Sequence, residues 1–124
     1  MDGINIYFAD TYALIEILNG TNSYKKYKNS ILITSKINLA ELYYHLLLSE
    51  DEKIANKYYD FFRKIVVPIS SWSIKTGMKF KQMYKKEKLS YADCIGYALA
   101  LELNIPFLTG DKEFEDKSNV EFVK

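Results

Sequence analysis

Short apolar runs alternate with longer segments of mixed polarity along the chain, and this alternation predicts where strands and helices lie. Runs with the length and the β-branched or aromatic content of strands occur at residues 4–9, 31–33, 66–67 and 105–108, with a candidate fifth at 120–123. Helical spacing and capping residues predict helices at about 11–18, 34–49, 51–65, 70–88 and 91–103, and a polar helical turn at 24–29. Short apolar strands separated by helices are typical of a parallel sheet that helices cover on both faces. We therefore predict an α/β fold that forms a single domain over residues 1–124.

The composition indicates a globular protein and leaves nucleic-acid binding open. The chain has 124 residues, of which 48% are hydrophobic, and its 17 basic and 16 acidic side chains give a net charge of +1. An argument for a nucleic-acid partner therefore depends on where the charges lie and not on their sum.

Cysteine and histidine are too scarce for a zinc finger, since Cys94 and His45 are the only residues of their kinds. Cys94 cannot form an intrachain disulfide, and its apolar neighbours predict a buried thiol. The first residues lack the basic and apolar regions of a signal peptide, and no run of about 18 apolar residues predicts a membrane span. We therefore expect a cytoplasmic protein with no membrane contact.

Two acidic residues follow predicted strands. Asp10 comes directly after the run 4–9, and Asp111 comes shortly after the run 105–108. Because sites in parallel sheets form at the carboxyl ends of the strands, both residues are candidates for a functional site. Each also has a purely structural interpretation: Asp10 could cap the helix that follows it, and Asp111 could form a turn or cap together with Gly110.

Two further acidic residues lie in helical segments that are otherwise apolar. Glu41 lies within "INLAELYYHLLL" and Asp93 within "LSYADCIGYALALEL". Glutamate is rarely buried unless it is paired or bound to a metal, which favours a function for Glu41 over an exposed helix edge. Asp93 could instead complete a capping box with Ser90. We expect both acids to lie in the first turns of helices that pack beside the strand ends.

The four carboxylates are more informative together than any of them is alone. If they converge at one edge of the sheet, their repulsion raises their pKa values unless a cation compensates. A ligand set made only of oxygen favours a hard cation, Mg²⁺ or Mn²⁺. Clusters of this kind activate water and stabilise phosphoryl oxygens, so the sequence predicts metal-dependent chemistry on a phosphate ester.

Three segments resemble the motif blocks of PIN domains, and in particular those of VapC-type toxins: "FADTYALIEIL", "ITSKINLAELYYHL" and "KLSYADCIGYALALELNIPFLTGDKEF". The resemblance implies a ribonuclease that cleaves single-stranded regions of RNA with Mg²⁺ or Mn²⁺ and leaves a 5′-phosphate and a 3′-hydroxyl. The roles that it implies are catalysis and metal binding by Asp10, Glu41, Asp93 and Asp111, with Thr11 and Thr109 as supporting hydroxyls. The chain departs from the family pattern at Gly110, where many relatives carry an arginine that could contact phosphate.

The resemblance also implies partners, namely a second copy of the chain in a homodimer and, for a toxin, a small antitoxin protein that covers an apolar groove. Residues 39–62 carry more apolar side chains than one buried face needs, which suits such a groove, a dimer interface or ordinary core packing. The sequence does not specify the RNA substrate. It also leaves open a toxin, a PIN-domain nuclease of RNA processing and a catalytically silent PIN-like interaction module.

Lysines in the predicted helix 70–88 are the candidates for contacts with an RNA backbone. On one continuous helix Lys79 and Lys86 share a face, and we expect these two to contact RNA, although a solvated lysine-rich surface explains the same pattern. A second basic and aromatic cluster lies at 24–28, where Tyr24 and Tyr27 could stack on unpaired bases.

A phosphoacceptor signalling domain is an alternative from a different functional class, since it also combines a parallel sheet, acids at strand ends and Mg²⁺. Such a domain would need paired acids after the first strand and an acceptor aspartate after a middle strand. This chain has a single acid at the first position and "VVPISSW" at the second, so the nuclease is the favoured hypothesis.

Overall fold

The computed structural model describes residues 5–124, in which four strands form one parallel sheet. The strands are β1 (Ile6–Ala9), β2 (Ile31–Ile33), β3 (Phe107–Thr109) and β4 (Val120–Phe122), and they lie in the order β2-β1-β3-β4. Every pairing in this sheet is parallel, which confirms the prediction. Ile4, within the predicted run 4–9, lies outside the described residues.

The α-helices are α1 (Thr11–Asn19), α2 (Lys36–Ser49), α3 (Glu52–Phe62), α4 (Ser71–Met83) and α5 (Tyr91–Glu102). Shorter 3₁₀ segments lie at Asn22–Asn29, Arg63–Ile65 and Lys112–Phe114. Each of these α-helices follows a residue whose side chain accepts a hydrogen bond from the third helical N–H: Asp10, Ser35, Asp51, Ser70 and Ser90. Since such caps satisfy N–H groups without a partner inside the helix, they explain the helix starts that the sequence predicts. Within residues 5–124, every helix is too short or too polar to cross a lipid bilayer.

Side chains of the two central strands alternate between the two faces of the sheet and enter two separate core clusters. Phe8 and Phe107, in register on β1 and β3, stack with 5.8 Å between ring centroids in a cluster with α5. Ala9 and Leu108, the next pair in register, belong to a cluster with α1, α2 and α3. Because helices cover both faces, the structure confirms the predicted α/β class.

The prediction of a strand at residues 66–67 is wrong. Val66 forms a single parallel bridge with Thr34, and the Val67 N–H donates to the Thr34 carbonyl oxygen at 2.9 Å. Pro68 comes next and has no N–H with which to continue the ladder. The residues therefore extend the sheet beyond β2 by one bridge only.

Other predicted boundaries also differ from the structure, among them those of the strand 105–108 and of the helix 70–88. The predicted strand 105–108 is β3 at Phe107–Thr109, because the Ile105 N–H still bonds to the Ala100 carbonyl oxygen of α5 at 3.0 Å. The helix predicted to reach residue 88 ends at Met83, because Tyr84 turns out of helical geometry, where its ring lies 4.2 Å from the Lys117 ammonium. Lys86 lies beyond α4, so the predicted helix face shared by Lys79 and Lys86 does not form.

Helices α4 and α5 pack closely at Gly77. A Cβ atom at this position would lie 2.8 Å from the Cys94 carbonyl oxygen and 3.0 Å from the Cα of Ile95. These are backbone atoms of a helix and cannot rotate away, so the contact requires glycine. Because Asp93 directly precedes Cys94, the same contact sets the position of the turn that carries Asp93.

We expect Gly77→Ala to destabilise the protein by about 1–3 kcal/mol, because α4 must move away from α5 to admit the methyl group. The usual effect of this substitution inside a helix is the opposite, a stabilisation of about 0.5–1 kcal/mol. Denaturant unfolding measures the difference. Lys75→Ala, at an exposed position of α4, is the control and should change the free energy of unfolding by less than about 0.5 kcal/mol. A more stable Gly77→Ala protein would contradict the close contact.

Candidate metal centre

Asp10 lies at the carboxyl end of β1 and is only 1% exposed. Its backbone N–H donates to the Leu108 carbonyl oxygen of β3 at 3.2 Å, and its Oδ1 accepts from the Ala13 N–H of α1 at 2.9 Å. Burial raises the pKa of the Asp10 carboxyl to about 8, against the lowering effect of the Thr109 hydroxyl and the Ala13 N–H. The charges of Asp93 and Asp111 raise this pKa further. Asp10 is therefore both the predicted cap and a buried acid at the strand end.

Asp93 lies in the first turn of α5 and forms the predicted capping box. Its Oδ2 accepts from the Ser90 N–H at 2.9 Å, and its own N–H donates to the Ser90 Oγ at 3.0 Å. Burial raises the pKa of Asp93 to about 6, and the charges of Glu41 and Asp111 add to the effect, although the bonds from Ser90 oppose it. As with Asp10, the predicted cap forms, and the functional role of the same side chain stays a prediction.

Asp111 and Thr109 form a local structure at the carboxyl end of β3. The Asp111 N–H donates to the Thr109 Oγ1 at 3.0 Å, and the Asp111 Oδ1 accepts from the Glu113 N–H at 3.0 Å. Thr109 is fully buried, whereas Asp111 is half-buried. The hydroxyl of Thr109 therefore lies between Asp10 and Asp111, since it also lowers the pKa of Asp10.

Glu41 is half-buried in the second turn of α2, one turn later than we predicted. Its Oε1 accepts a hydrogen bond from the Thr11 Oγ1 at 2.7 Å. Thr11 is the first residue of α1 and directly follows Asp10. The predicted supporting hydroxyl thus joins the helical acid to the strand-end acid.

Electrostatic effects connect all four predicted acids. Asp10 is influenced by Asp93 and Asp111, and Asp93 is influenced by Glu41 and Asp111. None of the ion pairs found within the described residues includes one of the four carboxylates. The structure therefore brings together like charges with no compensating lysine or arginine bonded to them in that part of the chain.

The donor set suits a hard divalent cation, since it consists of carboxylate and hydroxyl oxygens. As placed, however, no three acidic, histidine or cysteine side chains of residues 5–124 are close enough to hold one ion. Each of the four carboxylates directs one oxygen to a local donor, namely Ala13, Thr11, Ser90 or Glu113. A shared ion would need water molecules between some of these oxygens and the metal, or side-chain rotation.

Sequence reasoning missed Asn38, which is fully buried and donates from Nδ2 to the Thr11 Oγ1 at 3.2 Å. The position was detectable, because Asn38 precedes Glu41 by three residues and so lies on the same face of α2. It belongs to the hydrogen-bond network around Glu41.

Lys81 and Tyr91 are placed beside the start of α5. The Lys81 ammonium donates to the Leu89 carbonyl oxygen and lies 5.0 Å from the centroid of the Tyr91 ring. Tyr91 is 64% exposed and lies two residues before Asp93. Lys79 and Lys86 are exposed, and their contact with RNA stays a prediction.

The predicted stacking roles of Tyr24 and Tyr27 are wrong. Both rings are buried, with exposures of 1% and 2%, and therefore cannot receive a base. Their hydroxyls bond to the Val123 carbonyl oxygen at 2.5 Å and to the Glu121 carboxylate at 2.6 Å, so both tyrosines hold the C-terminal strand region.

Gly110, the departure from the family pattern, has a structural cause. A Cβ atom at this buried position would overlap the Tyr12 ring and the Val123 carbonyl oxygen. The chain therefore leaves no room for an arginine here, since the Tyr12 ring and the C-terminal strand occupy the space.

We expect Asp10→Asn to stabilise the protein at pH 8 when a chelator removes divalent metal. A carboxyl whose pKa is raised on folding destabilises the fold as the pH rises from its unfolded pKa of about 3.9 to its folded value, here about 8. Asparagine removes the charge and caps the helix about as well. Thermal unfolding should give a Tm higher than the wild type by at least about 4 °C at pH 8, and nearly the same Tm at pH 4.

Asp51→Asn is the matched control, because Asp51 caps α3 through the Ile54 N–H at 2.9 Å but is exposed. Its Tm difference from the wild type should be small at both pH values. If the wild type were the more stable protein at pH 8, Asp10 would not be a buried, uncompensated acid.

Several solved structures share the fold of this chain at low sequence identity. A toxin–antitoxin complex from Klebsiella pneumoniae matches with a TM-score of 0.71 and 21% identity over 93% of this chain and 95% of the other. VapBC2 from Rickettsia felis, bound to a DNA fragment from its promoter, matches with a TM-score of 0.73 and 21% identity over 96% and 99%. Mycobacterium tuberculosis VapC20, described as a toxin that cleaves the Sarcin-Ricin loop, matches with a TM-score of 0.78 and 16% identity over 95% and 99%.

A search of curated proteins gave no match to the chain. Family membership is shown by the model of the PIN domain, which matches residues 7–120 and so covers every one of the four acids. The parallel sheet, the helices on both faces and the acids at the carboxyl edge agree with the resemblance seen in the three motif blocks. The chain belongs to the PIN domain family.

Proposed function

We propose that this protein is a metal-dependent endoribonuclease that cleaves single-stranded regions of RNA. The observation that carries the proposal is the burial of Asp10 at the carboxyl end of β1, where Asp93 and Asp111 raise its pKa further. Buried acids that repel one another and lack an ion pair are stabilised by a cation. Membership of the PIN family supports a nuclease, and the likeness to VapC20 agrees with it.

In this proposal Asp10, Glu41, Asp93 and Asp111 hold Mg²⁺ or Mn²⁺, some directly and some through water. When bound, the ion supplies an acidic water molecule and stabilises negative charge on the phosphate. Asp10 would hold the cation in its ionised form, so binding would be linked to loss of the Asp10 proton, since burial raises its pKa to about 8. The N–H groups of Ala13 and Ser90 meanwhile keep one oxygen of Asp10 and one of Asp93 oriented.

No side chain is needed as a covalent nucleophile. Cys94 is buried next to Asp93, and burial raises the pKa of its thiol to about 11, so it does not supply a thiolate at neutral pH. Attack by water in line with the leaving oxygen gives a 5′-phosphate and a 3′-hydroxyl, as in the family that the chain resembles.

The RNA strand reaches the acids past the start of α5. Lys81 and the exposed ring of Tyr91 lie there, and Tyr91 is two residues from Asp93. The two side chains suit a phosphate and an unpaired base. Lys79 and Lys86 are exposed and are proposed as more distant contacts with the RNA backbone.

We further propose that the protein is the toxin of a VapBC-type pair, that it acts in the cytoplasm as a homodimer, and that an antitoxin protein inhibits it. The descriptions of the similar structures as toxin–antitoxin assemblies support this role. An apolar cavity between α1, β2 and α3, lined among others by Ile17, Leu32 and Phe62, suits an antitoxin side chain. A PIN-domain nuclease of RNA processing would cleave RNA without arresting growth, and a silent interaction module would cleave nothing.

We expect the purified protein to cleave single-stranded RNA when Mg²⁺ or Mn²⁺ is present and to stop when a chelator is added. Asp10→Asn and Asp93→Asn should each lower the rate by about 100-fold or more, because each removes charge from the site that stabilises the transition state. Gel analysis of end-labelled RNA measures the rates and identifies the product ends. Asp51→Asn should retain the wild-type rate, since this cap lies on α3 and is exposed. Undiminished cleavage by either site variant would refute the mechanism.

We expect Tyr91→Ala to raise KM for RNA by about tenfold with a smaller change in kcat, because loss of a stacked base costs about 1–3 kcal/mol of binding. Tyr91→Phe should keep most of the affinity, since it retains the ring. Phe61→Ala is the control, because Phe61 is 63% exposed but lies on α3. Equal KM values for Tyr91→Ala and the wild type would remove Tyr91 from the RNA path.

A further inference from the structure

A row of hydrogen bonds runs from the start of α2 to Glu41 by way of α1. The Ser35 Oγ donates to the Asn38 Oδ1 at 2.6 Å, and the Asn38 Nδ2 donates to the Thr11 Oγ1 at 3.2 Å. The Thr11 Oγ1 in turn donates to the Glu41 Oε1 at 2.7 Å. The three bonds share one direction, and they end on a carboxylate of the candidate metal centre.

The direction of this row follows from the donors that each group possesses. The Ser35 Oγ already accepts from the Asn38 N–H at 3.1 Å, so its single proton is available for the Asn38 side-chain oxygen. That bond places Oδ1 toward Ser35 and leaves the Asn38 NH₂ facing Thr11. Because Thr11 receives this donor, its own proton goes to a different acceptor. The Glu41 Oε1 lies 2.7 Å from the Thr11 Oγ1 and is a better acceptor than the Asn38 backbone carbonyl oxygen, which lies 3.5 Å away.

The packing around Asn38 keeps its amide in place. Ser35 and Asn38 are both fully buried. A Cβ atom at Gly96 of α5 would lie 3.1 Å from the Asn38 Oδ1 and 2.8 Å from a carbon of the Phe8 ring, so α5 covers the amide tightly. A buried amide that rotated away from these partners would leave polar atoms unsatisfied, at a cost of about 1–3 kcal/mol.

We propose that Asn38 is a positioning residue that acts through the Thr11 hydroxyl to hold Glu41 in the orientation needed for the metal. The bond from Thr11 fixes Oε1 of Glu41, so that Oε2 is presented to the cation or to a water molecule bound to it. The inference rests on the proposed function for its metal. The row of hydrogen bonds itself exists in the metal-free protein.

A double-mutant cycle on the affinity for Mn²⁺ tests the proposal. Calorimetry would compare the wild type with Asn38→Leu, Thr11→Val and the double variant. Hydrogen-bonded partners of metal ligands typically contribute 10–100-fold in affinity, and we expect a loss of this size from either single substitution. In the Thr11→Val background, Asn38→Leu should cause no further loss. Thr11→Ser should bind Mn²⁺ about as tightly as the wild type does, because serine supplies the hydroxyl that Thr11→Val removes.

The control is Asn56→Leu, since Asn56 accepts a bond from the Tyr43 hydroxyl at 2.7 Å on the exposed surface of α3. This variant should bind Mn²⁺ as the wild type does. Losses that simply add in the double variant would show that Asn38 acts independently of Thr11, which overturns the proposal. So would a fall in Tm for Asn38→Leu with unchanged affinity of the folded protein, since that result defines a structural role.

A second measurement uses the metal-free protein and does not depend on nuclease activity or on Asn38→Leu being folded. The side-chain NH₂ resonances of Asn38 should shift in Thr11→Val and also in Glu41→Gln, because the row of bonds transmits both changes. If the wild type binds no Mn²⁺, the proposed function fails and the metal part of the inference fails with it, whereas this spectrum still decides whether Asn38 is connected to Glu41 through Thr11. Asn38 resonances that stay in place in Glu41→Gln would disprove a connection to Glu41.

Discussion

The burial of Asp10 among other carboxylates is the constraint on which the rest of the structure depends. Its N–H donates to the Leu108 carbonyl oxygen of β3, and its side chain caps α1. The backbone and the carboxylate of Asp10 are therefore both held at this edge of the sheet. Desolvation disfavours the ionised form, and Asp93 and Asp111 disfavour it further. This electrostatic destabilisation lies at the carboxyl edge of the strands, which is where a parallel sheet brings together side chains from several elements.

Local donors make the arrangement tolerable before any cation is present. Asp10, Asp93 and Asp111 each accept a hydrogen bond from a backbone N–H. Asp10 and Asp93 lie at the starts of α1 and α5, where the helix dipole also favours negative charge. Glu41 has no such position, because it lies in the second turn of α2, and it receives a side-chain donor from Thr11 instead. Capping and chemistry are therefore not competing interpretations of these residues, since one oxygen serves the cap and the other remains for a ligand.

Much of the fold was predictable from the sequence because its signals are local. Ser35, Ser70 and Ser90 cap the helices that follow them, as the spacing of polar and apolar residues predicts. The failures occurred where distant contacts decided the outcome. Val66 meets Thr34 for a single bridge before Pro68 stops the ladder, and Tyr84 leaves helical geometry with its ring 4.2 Å from the distant Lys117 ammonium. No pattern within either segment carries that information.

The sequence by itself determined the α/β class and singled out the four acids as candidates, because strand ends, helix caps and isolated charges in apolar helices are visible within a few residues. The tertiary structure decided which other side chains surround them. It buried Tyr24 and Tyr27, placed Lys81 beside the start of α5, and put the Asn38 amide against Thr11. The positions of these side chains depend on how helices distant in sequence pack on the two faces of the sheet. Hydrogen bonds and burial between them are set by that packing and not by local spacing.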